Sequence, residues 1–156
     1  MATIARDTPL LELTLRRYEK PEHLTKRELV RKLCLSMGLL QPGDSRDVVV
    51  DVLAVLLEKR KDHRMISAEE VRLFVLDHRT RHSLQQLGVA PSNIRRQLKR
   101  LRDIMMVEKV LNKYRITEYA DLNQIMTEKV ERLLLQSLVG RIKEYNHSVE
   151  TAYSQT

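Results

Sequence analysis

Between Ser92 and Asp103 five of twelve side chains are basic, Arg95, Arg96, Lys99, Arg100 and Arg102, and Ile94, Leu98 and Leu101 recur among them. Guanidinium and ammonium groups at this density neutralise phosphate and, in bidentate geometry, read guanine edges. The apolar spacing predicts the helix that would carry them. At 100° per residue, with Ile94 at zero, Leu98 and Leu101 fall within about 40° of it, whereas Ser92, Arg96 and Lys99 lie roughly opposite and Asn93, Arg95 and Arg100 on the flanks. Such a helix docks its apolar back on a core and offers its front to phosphates and base edges.

The charge of the chain is concentrated at this element. Of a formal net charge of +7, residues 91–115 carry eight Lys+Arg against two Asp+Glu, residues 1–90 sixteen against thirteen, and residues 116–156 four against six. Cations gathered this way favour a polyanionic partner, of which duplex DNA is the simplest. Phosphate contacts are expected from Arg95, Arg100, Lys109, Lys113 and Arg115, and base readout from Ser92, Asn93 and Arg96, with Lys99 able to serve either role. Tyr114 is expected to pack rather than to stack on a base.

Other chemistries find little purchase. With four glycines there is no phosphate-cradling loop, no G-x-S-x-G elbow and no carboxylate pair on a recognisable scaffold, so no enzyme and no cofactor is expected. Glu69-Glu70 is explained by helix capping and the dipole. His78 and His82 are four apart, with Asp62 and His63 upstream, yet no HExxH pattern and no cysteine pair accompanies them, so these histidines are expected at the surface and no metal site is expected. Cys34, the sole cysteine, reads as a small buried hydrophobe. No apolar run approaches the length of a membrane span and no signal core opens the chain, so a cytoplasmic protein with no membrane partner is expected.

Stepwise along 156 residues, residues 1–7 carry no pattern. Thr8-Pro9 predicts a helix start, with Leu10, Leu11, Leu13, Leu15 and Tyr18 as its apolar side and Pro21 as its stop. Thr25 and Glu28 have capping-box spacing before Leu29, Val30, Leu33 and Met37, with Gly38 as terminator. Gln41-Pro42-Gly43-Asp44 reads as a turn, Asp44 or Ser45 capping a central, valine-rich helix from Arg46 to about Lys61; a strand over Val48–Val50 is the alternative. Ser67 and Glu70 open a helix to about His78, and Arg79–Gln86 reads as either a loop or a short helix. Tyr119 or Asp121 starts a long helix to about Tyr145, followed by a polar, mobile tail from Asn146 to Thr156. That long helix offers more apolar surface than a small domain needs, which points to pairing with a second copy; packing back on the N-terminal helices is the alternative.

Leu87-Gly88-Val89 leads through Pro91 into Ser92-Asn93-Ile94-Arg95-Arg96-Gln97-Leu98-Lys99-Arg100-Leu101, and Ile104–Val110, Leu111-Asn112-Lys113 and Tyr114–Thr117 follow as strand, turn, strand. Over Leu87–Thr117, and more loosely upstream, this resembles the winged helix-turn-helix of prokaryotic, possibly archaeal, transcriptional regulators. The resemblance implies a winged helix-turn-helix with a small β-hairpin wing; with the N-terminal helices and the long C-terminal helix read from the pattern, a mainly α fold is expected. The resemblance divides the chain into a helical extension (1–44), the DNA-binding domain (45–118) and a dimerisation helix (119–156). It also implies a homodimer that binds duplex DNA sequence-specifically, with the second helix of the turn in the major groove and the wing against backbone or minor groove. The alternatives are a winged-helix adaptor docking an acidic protein in a transcription, replication or RNA-processing complex, and RNA binding.

Overall fold

The computed structural model describes residues 7–155; residues 1–6 of the unpatterned N-terminus lie outside it. The fold is mainly helical, with a small three-stranded antiparallel sheet and a long C-terminal helix. In chain order it comprises α1 (Lys26–Ser36), α2 (Val48–Arg60), β1 (Ile66–Ser67), α3 (Ala68–Arg81), α4 (Pro91–Asp103), β2 (Val107–Val110), β3 (Lys113–Ile116), and α5 (Leu122–Ile125), which continues through π-helical turns (Met126–Leu135) into α6 (Gln136–Ser154). Among the described residues no helix is long and apolar enough to cross a membrane.

Two capping boxes start α1 and α3. Thr25 and Ser67 each accept from the N–H three residues on, and Glu28 and Glu70 each accept from the cap residue's own N–H. The valines of α2 disfavour helix on propensity, but Val48, Val49, Val50, Val52, Leu53, Val55 and Leu56 are all buried. Burial against α1, α3, α4 and β3 decides the conformation. The helix reading of this stretch therefore holds over the strand.

The N-terminal helix expected over residues 8–20 is not formed; the segment runs without helix or strand. Its leucines fit an alternating pattern as well as a helical one, and Leu11, Leu13 and Tyr18 are its partly buried apolar side chains. Contacts beyond the segment decide the matter. The Arg16 N–H donates to Ser36 O, and its guanidinium donates to Leu35 O and Leu40 O at the C-terminal end of α1. A cation suits that end of a helix dipole and satisfies its orphan carbonyls. Gly38, at φ +71°, lies where a Cβ would meet Thr14 at 2.7 Å, so the segment crosses directly over it.

Three further expectations are corrected. Asp44 accepts from Arg46 N–H, one turn early, and the residue preceding α2 is Asp47, whose carboxylate is engaged by arginines rather than by the helix. Residues 146–154 of the expected mobile tail are helical. The stretch from Arg79 is helix as far as Arg81, then loop, with Ser83 at positive φ. β1 was not legible at all: two residues long, it pairs Ile66 with Tyr114 and Ser67 with Lys113, giving the sheet order β1-β3-β2.

Candidate nucleic-acid interface

α4 is held by its back. Ile94, Leu98 and Leu101 are buried as expected, and Gln97 joins them. On the front, Ser92, Arg95, Arg96, Lys99 and Arg102 are exposed. Among the described residues no carboxylate lies within ion-pairing distance of Arg95, Arg96 or Arg102, whereas Lys99 pairs with Asp103 at 3.0 Å on the surface. Such an exposed i,i+4 pair is worth a few tenths of a kcal/mol and exchanges readily for a phosphate.

Asn93 and Arg100 have other duties. Asn93 Nδ2 donates to Gly88 O at 2.6 Å, and its Oδ1 accepts from Arg96 at 2.6 Å and from Gln97 at 3.1 Å. One amide thus fixes the Leu87-Gly88-Val89 turn, where Gly88 has φ +74°, and orients Arg96. Arg100 is half-buried, donating to Gln97 Oε1 and to Gly38 O behind α1. It ties the helix to the body instead of projecting from it.

The hairpin turns through Leu111 and Asn112, both at positive φ, the primed geometry that matches strand twist. Tyr114 is buried, as its expected packing role requires. Lys109 and Lys113 are exposed near the tip. Arg115 is half-buried, paired with Glu108 at 2.6 Å and lying 4.6 Å over the Tyr119 ring. The face of α4 and the hairpin meet: Lys99, Arg102, Lys109 and Lys129 line one groove of about 480 Å³, together with Asp103 and Glu108, which are already paired. Arg102, beside the residues singled out on sequence, belongs to this surface.

Where α1, α2 and α3 meet lies a cluster that sequence reasoning missed. Asp51, fully buried in α2, accepts from Arg79 Nη1 at 2.6 Å, Arg27 Nη2 at 3.0 Å and His78 Nδ1 at 2.6 Å. A carboxylate only accepts, so Nδ1 carries the ring proton. Asp47 binds the same two arginines, each at 3.2 Å. Its partial burial opposes ionisation, but the hydrogen bonds and charges of Arg27 and Arg79 prevail and hold its carboxyl below the usual range. Arg79 Nε also donates to Gln85 O at 2.8 Å, so the cluster fastens the loop that leads into α4. His78 is therefore not the surface histidine expected; His82, its ring centroid 4.4 Å away, is at the surface. Among the described residues no group of three metal-ligating side chains converges. The available signal was Asp51 itself, a lone carboxylate inside Val48–Leu57.

Compared with protein-family models, curated proteins and solved structures, the chain matches none.

Proposed function

We propose that residues 48–116 form a winged helix-turn-helix that binds duplex DNA and regulates transcription. The element order supports this: a core helix, a short strand, a helix, a Gly-containing turn, the cationic helix, then a two-stranded wing. The single observation that carries the reading is the exposed cationic front of α4, on which Arg95, Arg96 and Arg102 have no carboxylate partner among the described residues and Lys99 and Arg102 share one groove with Lys109 of the hairpin. Ser92, Arg95 and Arg96, on the exposed first turns of α4, enter the major groove, where an arginine can take guanine in bidentate fashion. Lys99 and Arg102 continue that face, and Lys109 and Lys113 reach the flanking backbone. Asn93 acts through Arg96, which it orients.

An acidic protein partner is the second reading, favoured by Leu111, which stands 92% exposed at the hairpin tip between Lys109 and Lys113. Salt separates the two. Binding to a random-sequence 30-base-pair duplex is expected to weaken linearly on a log–log plot with a slope of about −0.9 per phosphate neutralised, steeply for four to six contacts. Failure to bind duplex at low salt overturns the DNA reading. A preference for structured RNA over duplex of equal length does so as well.

A further inference from the structure

α6 stands off the body. It touches the π-helical turns that precede it, but none of its residues from Gln136 to Ser154 is buried. A helix of 19 residues with none buried lacks the tertiary packing of an apolar face from which most helices in proteins draw their stability. Its apolar residues are nonetheless ordered: Leu135, Leu138, Ile142, Tyr145, Val149 and Ala152 follow at alternating steps of three and four, the spacing of a coiled-coil seam. Ile142 is 58% exposed, Tyr145 69% and Val149 53%. Among the described residues the N-terminal segment leaves these side chains largely open, with only Leu11 half-buried beside them. Residues 8–11 flank one side of the seam, yet Leu10 is itself 96% exposed.

We propose that this seam pairs antiparallel with the same seam of a second copy, Ile142 packing on the partner's Tyr145. The sequence of layers favours that direction. Antiparallel pairing about a point between Ile142 and Tyr145 sets Leu135 on the partner's Ala152 and Leu138 on the partner's Val149, so large meets small in every layer. Parallel pairing would stack tyrosine on tyrosine and alanine on alanine, leaving layers of unequal width and voids that core packing does not tolerate. The flanks bring no like charges together: Arg141 faces the partner's Ser148, Val139 the partner's Asn146, and Tyr153 the partner's Arg132, a cation–π arrangement. With roughly 60–120 Å² from each aliphatic side chain and roughly 150 Å² from each tyrosine, the seam and its flanks offer on the order of 800 Å² per protomer, the size of a standard stable interface.

Sedimentation equilibrium of the full chain tests this without nucleic acid, so its outcome is separate from that of the DNA reading. The expected mass is twice the 18.3 kDa of the chain, falling to the single-chain value in Ile142→Glu/Tyr145→Glu at unchanged melting of the body. Direction is read by cross-linking in a Cys34→Ser background. Leu138→Cys/Val149→Cys is expected to form disulfide-linked dimers on mild oxidation, while each single cysteine forms none. A monomer at tens of micromolar overturns the proposal, as does a dimer indifferent to the two glutamates. Self-cross-linking of Leu138→Cys alone overturns the antiparallel arrangement.

Discussion

Leu111 and Asn112 occupy the left-handed region side by side, at φ 49° and 63°. Asparagine tolerates it through its short polar side chain; leucine does not, and pays roughly 1–2 kcal/mol for it. Because the Leu111 side chain packs on nothing, Leu111→Gly is expected to stabilise the protein by about 0.5–1 kcal/mol, read as a higher urea midpoint at unchanged slope. Cys34 makes the opposite kind of prediction. It is fully buried, and burial pushes its thiol up to about 12. At pH 8 in native buffer it is expected to resist disulfide reagents, reacting fully once urea opens the fold; rapid native reaction would contradict its placement. Asn93 shows how a residue's place can be legible while its contacts within the fold are not. Its position on the flank of α4 was legible, but the 2.6 Å bond to Gly88 O depends on a turn that brings the two together in space.

The elements with local signals were legible in the sequence. Both capping boxes, the basic helix and the Leu111-Asn112 hairpin are written within a few residues of each other. Elements fixed by distant partners were not. Residues 8–20 form no helix because Arg16 binds the end of α1, and β1 exists because β3 lies beside it. The C-terminal helix changes phase for a related reason. Wider π turns put Ile125 and Val130, five apart, on the buried side together, which a 3.6-residue period cannot do. The Asp51 cluster belongs to this scale, since it joins α1, α2 and α3. Asp51→Ala would leave the buried Arg79 and the partly buried Arg27 with Asp47 alone and His78 without its acceptor, and is expected to cost about 3–5 kcal/mol, measured by denaturant unfolding. Acid should act through the same cluster. Asp47 is depressed in the fold, so its contribution is present above its unfolded value near 3.9 and is lost as pH falls through the folded one. Glu70 adds in the same direction, its bond from the Ser67 N–H favouring the carboxylate. Stability is therefore expected to fall below about pH 4, and less steeply in Asp47→Asn.

Across the whole molecule, the charge map read from the sequence survives folding in part. Arg95, Arg96, Arg102, Lys109 and Lys113 remain at the surface, while Arg100 and Arg115 are drawn into contacts with the body. The proposed DNA face is thus smaller than composition suggested, but Lys99, Arg102 and Lys109 share one groove, and the loop leading into α4 is fastened by the ion cluster and by Asn93. The proposed pairing through α6 would supply a second such face, which a two-fold DNA site requires.

The most direct measurement is fluorescence anisotropy of the protein on one labelled duplex across a salt series, beside Arg95→Gln/Arg96→Gln/Lys99→Gln and, as a control of equal charge change, a triple glutamine variant at the exposed Arg17, Arg81 and Lys143. The account predicts salt-sensitive binding that collapses, with a salt slope shallower by two or three, in the α4 variant alone, both variants melting like the wild type. Equal weakening by the two variants would mean that net charge, not this surface, holds the nucleic acid, and would contradict it.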